Sequence, residues 1–185
     1  MRTAIRYTSV LARPILHAFS FAILTAFAAW VEVPLYPVPI TMQTCAVLLS
    51  GALLGAYWGT VSQAIYLVGG LFLPIYAGGA MGVATLFGAT GGYLLSFPLA
   101  AFLVGLWLRH ISAETSLYSL FARLFTISLM VMVIGTIWLQ AVMKLSVVQA
   151  ILVGFVPFIA GDIIKCALVT AIVKADLWLT TYKPH

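Results

Sequence analysis

The sequence predicts an all-α integral membrane protein, a bundle of six transmembrane helices. Of its 185 residues, 64% are apolar, and only 13 carry a formal charge, nine Lys or Arg and four Asp or Glu. A soluble domain has about 25% charged residues, so this composition cannot cover a water-exposed surface. At roughly 20 residues per spanning helix, the apolar residues suffice for about six spans. A soluble enzyme, a nucleic-acid-binding domain and a disordered regulator are excluded, and residues 1–185 are expected to form a single membrane domain.

Helix 1 is predicted over residues 14–33. The arginines that precede it are Arg2, Arg6 and Arg13. This start is similar to a signal peptide, but no cleavage site is evident and further spans follow, so we expect a retained helix. Small residues recur every four positions within it, namely Ala18, Ala22 and Ala26. Such a ridge permits close helix contact, either within the bundle or with another membrane protein. Glu32, near the outer end, is expected to be solvated.

Helices 2 and 3 are predicted over residues 41–56 and 60–73. The segment before them, residues 34–40, has three prolines, which favour a stiff, extended outer segment. Polar side chains open helix 2, namely Thr41, Gln43 and Thr44. Thr41 suits a helix cap, and Gln43 can hydrogen-bond in two directions. The polar side chains of helix 3, Gln63 and Tyr66, are interpreted as interhelical hydrogen-bonding groups.

Helix 4 is predicted over residues 83–108, after a flexible, almost uncharged outer segment at 74–82. Its first turns contain Gly91 and Gly92, which allow another backbone or a ligand to approach closely. Thr90 and Tyr93 lie three residues apart and can present two hydroxyls to the same space. Taken alone, however, such glycines serve helix packing more often than binding.

Helices 5 and 6 are predicted over residues 123–143 and 157–180. The outer segment between them, residues 144–156, is apolar enough to form a short helix at the membrane interface. Trp138 and Gln140 of helix 5 fit two alternatives equally, a cavity wall or the polar and aromatic belt at the outer interface.

Asp162 and Lys165 of helix 6 are the strongest candidates for a site. Ionisable groups inside a membrane are costly and indicate function by default, and a spacing of three places both on one helical face. The alternative is a pair that only neutralises itself. A binding role is favoured because the pair faces three apolar outer segments that could form a lid, although those segments could also simply pack at the interface. A strong acceptor beside a strong donor suits a urea, amide or zwitterionic ligand.

The distribution of basic residues predicts the orientation. Seven cations fall on the side of the two termini: Arg2, Arg6, Arg13, Arg109, Arg123, Lys174 and Lys183. Only Lys144 falls on the other side. Because Lys and Arg accumulate in cytoplasmic loops, both termini are predicted to be cytoplasmic.

Catalytic and metal-binding constellations are not recognisable in the sequence. The histidines are scattered, at His17, His110 and His185, and the cysteines Cys45 and Cys166 lie in apolar segments. No nucleotide-binding motif is present. We therefore expect no enzyme, no metal, no cofactor and no pump with its own energy source.

Five stretches, taken in order, closely resemble the BioY family. They are PVPITMQT at 37–44, GALLG at 51–55, LPIYAGG at 73–79, GATGGYL at 88–94 and PFIAGDIIK at 157–165. The resemblance covers about residues 34–173. The chain departs from the family pattern at Ala89, Ser96 and Ala160, which affects helix bending, and at Gly78, where some members carry a polar side chain.

The resemblance implies a six-helix S component of an energy-coupling factor (ECF) transporter that captures biotin at the outer face. The vitamin would be enclosed by the first and third outer segments and helices 4 to 6. Asp162 and Lys165 would contact its ureido ring, and either Lys165 or Gln43 its carboxylate. The implied substrate-binding residues are Asp162, Lys165, Tyr93, Gln43, Tyr76, Thr90, Gly91 and Gly78.

The resemblance also implies partners and a location. A transmembrane coupling protein would dock on the ridge of Ala18, Ala22 and Ala26, and two ATPase subunits would use ATP to drive toppling of the S component. The expected location is the cell membrane of a prokaryote, in contact with lipid. The alternatives are an S component for another small vitamin and a membrane scaffold subunit that does not transport.

Overall fold

A computed structural model of the chain describes residues 14–181. These residues form helices joined by loops and turns, one of which contains a 3-10 turn at Ala77–Gly79, and one pair of two-residue antiparallel strands. In chain order the elements are α1 (Pro14–Trp30), β1 (Glu32–Val33), β2 (Ile40–Thr41), α2 (Gln43–Gly70), α3 (Gly82–Leu86), α4 (Gly91–Leu108), α5 (Leu117–Met143), α6 (Val147–Gly154) and α7 (Val156–Thr181). By length and composition alone, four apolar helical stretches could cross a membrane, with α2 counted as one stretch and α6 with α7 as another, and α1 is a shorter apolar helix. The predicted all-α membrane fold is confirmed.

The predicted orientation remains a prediction, because the structure contains no membrane. Several of the residues on which it depends lie outside the described range, namely Arg2, Arg6, Arg13 and Lys183, as does His185.

Helix α2 is a hairpin of two antiparallel arms, residues 43–54 and 56–70. Its backbone leaves the helical conformation at Gly55, where φ is 78°. Three contacts join the arms: Gln43 with Tyr66, Ser50 with Gln63, and Gly51 with Gly59. The members of each pair lie at similar distances before and after Gly55, so the chain reverses direction there. The arms correspond to the predicted helices 2 and 3, but one glycine replaces the expected loop, since only glycine adopts this φ without strain.

Helix α4 packs directly on the backbone of this hairpin. A Cβ atom added at Gly105 would lie 2.1 Å from the amide nitrogen of Ala56, and one added at Gly51 would lie 2.4 Å from the carbonyl oxygen of Ala101. No side chain fits between these backbones. Small residues thus let α4 lie at the centre of the bundle, and this placement brings its first turn to the same end as the two β-strands.

The alanine ridge of α1 faces the bundle. Ala18 has no exposed surface, and Ala22 is only 5% exposed, while Ala26 is half-buried. Ala18 and Ala22 therefore pack within the chain, which is one of the two alternatives for the ridge, and their contact with a partner protein remains a prediction. The sequence leaves both alternatives open because α1 is apolar on all sides, so its composition does not determine which face turns inward.

A buried polar cluster joins α1 to the hairpin. The Gln63 amide donates to the hydroxyl oxygens of Ser50 at 3.0 Å and Thr25 at 3.3 Å. Interhelical hydrogen bonding is thus confirmed for Gln63. It is also confirmed for Tyr66, whose partner is Gln43 on the other arm of the hairpin.

Other elements differ in detail from their predicted ranges. The predicted helix 4 is broken between α3 and α4, and α5 begins six residues early, at Leu117. The short helix predicted between helices 5 and 6 is present as α6, and Ser146 and Gln149 form a capping box at its start. Glu32 is half-buried in β1 rather than solvated, and its Oε2 atom has no hydrogen-bond partner among the described residues.

Candidate ligand-binding site

A cavity of about 140 Å³ lies at the end of the bundle formed by the first two outer segments. The outer segments contribute Val38, Pro39, Tyr76, Ala77 and Ala80 to its wall. The helices contribute Gln43 and Thr44 from α2, Tyr93, Leu94 and Phe97 from α4, Val131 and Met132 from α5, and Phe158, Asp162 and Lys165 from α7. The lining is therefore mainly apolar, with a few converging polar groups, as in small-molecule sites generally.

The charged pair lies in this wall and is almost completely buried. Lys165 Nζ is 2.6 Å from Asp162 Oδ1, and the two residues are 3% and 2% exposed. It is the one ion pair in the described part of the chain. The pair faces inward because Phe158, Asp162, Lys165 and Val169 follow the helical repeat on the buried face of α7. A charge placed there would be costly without its partner.

Ser128 of α5 holds the same carboxylate from the opposite side. Its hydroxyl donates to Asp162 Oδ2, and Ser128 itself is fully buried. Both oxygens of Asp162 therefore accept a hydrogen bond, each from a different helix. Each oxygen keeps a second acceptor position for a ligand N–H group.

A directional chain of hydrogen bonds fixes Gln43. Its Nε2 donates to the Tyr66 hydroxyl at 2.5 Å, and that hydroxyl donates to the Ile75 carbonyl at 3.2 Å. Because the only proton of Tyr66 goes to Ile75, the amino side of the amide must face Tyr66. The Gln43 Oε1 atom accepts from Thr41 at 2.8 Å. One N–H of Gln43 thus remains to donate to a ligand oxygen.

Tyr76 anchors the second outer segment. Its hydroxyl donates to the Leu67 carbonyl at 2.6 Å, and its ring lies edge-to-face against Tyr66. The ring covers Gly70 so closely that an added Cβ would lie 2.2 Å from it. Burial raises the pKa of the Tyr76 hydroxyl, so it stays protonated as a donor. Tyr76 is therefore a wall of the cavity that is held by contacts with α2.

Tyr93 connects the cavity to α6. Its ring stacks on Phe158, with ring centres 5.7 Å apart, and its hydroxyl donates to the Gly154 carbonyl at 2.6 Å. On the other side, Gly135 provides the space for the ring, since an added Cβ would lie 2.2 Å from it. Tyr93 therefore holds the third outer segment from within the bundle.

Six of the eight candidate substrate-binding residues line the cavity: Asp162, Lys165, Tyr93, Gln43, Tyr76 and Thr90. Gly91 and Gly78 do not. Gly91 packs against the Leu86 carbonyl, as the packing alternative anticipated, and Gly78 occupies a left-handed position in a turn beside Glu32. Whether the six residues bind a ligand remains a prediction.

One expectation about the surroundings of the cavity needs correction. No residue of the third outer segment lines it, and the second outer segment does so instead. Trp138 lies behind the wall, where its indole N–H donates to the Gly88 carbonyl at 2.9 Å. Gln140 lines a separate groove between α5 and α6.

Ser128, and the role of Tyr66 in holding Gln43, were not identified from the sequence. Tyr66 is noticeable in the sequence as a polar residue in an apolar helix, but its partner is not. Ser128 is not noticeable, because many serines and threonines interrupt the apolar runs and the sequence does not show which one faces Asp162.

Comparisons with known proteins agree with this geometry. The model of the BioY family matches residues 1–181. The chain is 37% identical to the probable biotin transporter BioY of Pyrococcus horikoshii, over 84% of this chain and 90% of that protein. It is also 37% identical to the biotin transporter BioY of Thermotoga maritima, over 86% and 93%.

A solved structure extends the comparison to the fold. The crystal structure of the S-component for biotin from an ECF-type ABC transporter superimposes with a TM-score of 0.81 at 27% identity. This match covers 88% of this chain and 89% of that one. Family model, relatives and fold agree over most of the chain, and the protein belongs to the BioY family.

Proposed function

We propose that the protein is the biotin-binding S component of an ECF transporter in the cell membrane of a prokaryote. The observation that carries the proposal is the buried Asp162–Lys165 pair in the wall of a mainly apolar cavity. Its support comes from family membership and from the chemical match between this cavity and biotin.

The polar groups of the cavity complement the ureido ring of biotin. That ring offers two N–H donors and one carbonyl acceptor. Asp162 has acceptor positions left on both oxygens, and Lys165 has ammonium protons beyond the one that it gives to Asp162. The pair can therefore satisfy both kinds of group at once without leaving a buried charge unpaired.

The remaining walls complement the rest of the molecule. The sulfur-containing ring and the aliphatic chain of biotin are apolar, and they match Phe97, Val131 and the stacked rings of Tyr93 and Phe158. The free N–H of Gln43 is a suitable donor to the carboxylate. Because these groups are already held by protein contacts, little ordering is needed on binding, which favours high affinity.

Transport requires partners in this proposal. A transmembrane coupling protein and two ATPase subunits would supply the energy, with ATP used only by the latter, and the S component itself would need no cofactor. Of the predicted docking ridge, only Ala26 is partly exposed, so the coupling protein would contact α1 largely through its outward side chains.

The test is equilibrium binding of radiolabelled biotin to the purified protein. Saturable binding is expected, with displacement by unlabelled biotin but not by thiamine or riboflavin. Absence of saturable binding at micromolar biotin would refute the proposal, and displacement by another vitamin would identify a different S component. Lys174→Ala is a matched control, because Lys174 lies on the same helix but donates to the Ala113 and Thr115 carbonyls, away from the cavity.

A further inference from the structure

Ser128 makes an unusual hydrogen bond for a serine inside an apolar helix. Buried helical hydroxyls normally donate back to a carbonyl three or four residues earlier. Five buried hydroxyls among residues 14–181 follow this rule, those of Thr25, Ser50, Ser62, Ser96 and Thr170. Ser128 instead donates to the carboxylate of Asp162, on a different helix and 34 residues away.

The hydrogen bond from Ser128 restricts the orientation of the Asp162 carboxylate, which the ion pair alone does not. Lys165 lies on the same helix as Asp162 and holds only Oδ1, so the carboxylate could still rotate about that contact. Ser128 holds Oδ2 from α5. Two donors on two helices fix the plane of the carboxylate, and they leave one acceptor position on each oxygen.

Ser128 does this without entering the cavity. The part of α5 that lines the cavity is Val131 and Met132, whereas Ser128 has no exposed surface and does not line it. A direct contact with a ligand is therefore not its role.

We infer that Ser128 is a positioning residue, which orients the Asp162 carboxylate so that its free acceptor positions meet the N–H groups of the ligand. The inference rests on the proposed function, since it assumes that biotin is bound at Asp162. It predicts that Ser128 acts on affinity only through that carboxylate.

The experiment compares biotin affinity in Ser128→Ala, Asp162→Asn and the double variant, with wild type as reference. Ser128→Ala is expected to weaken binding by about tenfold or more, as for the loss of a hydrogen bond to a charged group. In the Asp162→Asn background the same serine change is expected to cost about threefold or less, because a neutral amide accepts more weakly. Ser96→Ala is the matched control, since it removes a buried hydroxyl bonded only to the Tyr93 carbonyl, and it should retain near wild-type affinity.

Several outcomes would overturn the inference. One is wild-type affinity in Ser128→Ala, and another is an equal loss in both backgrounds, which would indicate a general structural role. If the alanine variant does not fold, Ser128→Cys under reducing conditions replaces it. A thiol is a weak donor of similar size, so a loss of severalfold is expected, and unchanged affinity would refute the inference. Failure of wild type to bind biotin would instead refute the proposed function, so the two failures are distinct.

Discussion

Replacing Lys165 with methionine separates the contribution of the ion pair to stability from its contribution to binding. Methionine keeps the length and apolar stem of lysine but removes the charge. Asp162, which is 2% exposed, would then keep Ser128 as its remaining donor and lose its counter-ion. The double variant Asp162→Asn/Lys165→Met removes both charges and leaves an amide that can still accept from Ser128.

The expected magnitudes follow from the burial of the pair. Breaking a buried ion pair costs about 3–5 kcal/mol of the free energy of unfolding, whereas replacing both partners is close to neutral. For a chain of 185 residues, this corresponds to a Tm lowered by about 6–20 °C in Lys165→Met and little changed in the double variant. Biotin affinity should fall in both, by about 1.5–3 kcal/mol for each charge-assisted hydrogen bond lost.

The assays are thermal unfolding followed by tryptophan fluorescence and equilibrium binding of labelled biotin, on the same preparations in detergent. Stability restored in the double variant while binding stays lost would assign the pair to ligand recognition. Wild-type affinity in the double variant would show that the pair is only structural. A Tm of Lys165→Met equal to that of wild type would contradict the burial on which the magnitudes depend.

Three further substitutions test contacts around the pair. Gly135→Ala forces a Cβ into the ring of Tyr93, so it should lower both Tm and biotin affinity; unchanged values would contradict the packing. Tyr93→Phe removes the hydrogen bond to Gly154, and hydrogen exchange should show faster opening of α6, with a stability loss of about 1 kcal/mol; unchanged exchange would mean that this bond does not hold α6. Ala22→Leu should lower Tm by overpacking the contact of α1 with the hairpin, whereas Ser20→Leu on the exposed face should not; equal effects would contradict the inward placement of the ridge.

The all-α class and the presence of long apolar helices could be predicted from the sequence because the bilayer imposes length and hydrophobicity on each span. The turn at Gly55 could not be located, since a one-residue reversal depends on how closely Gly51 and Gly59 let the arms approach. The inward face of α1 was equally undetermined, because a helix that is apolar on all sides carries no amphipathic signal.

The candidate site was predictable to the extent that its groups are unusual in a membrane. Asp162 and Lys165 stand out as charges in an apolar helix, and Gln43 as an amide. Ser128 does not stand out, because its role arises only when α5 packs against α7. Placing Ser128 beside the carboxylate therefore required the tertiary structure.

The short hairpin also has a consequence for the surrounding lipid. Its arms of 12 and 15 residues span about 18 and 22 Å, against about 30 Å for the hydrocarbon core. Tyr57 and Trp58 follow the turn at Gly55, and such aromatic side chains favour the membrane surface. A bilayer of that thickness would have to become thinner beside the hairpin, whereas α5 and α7, with 27 and 26 residues, are long enough to cross the full thickness. Such a hydrophobic mismatch would differ from one side of the protein to the other, and we expect bilayer thickness to bias how far the protein tilts in the membrane.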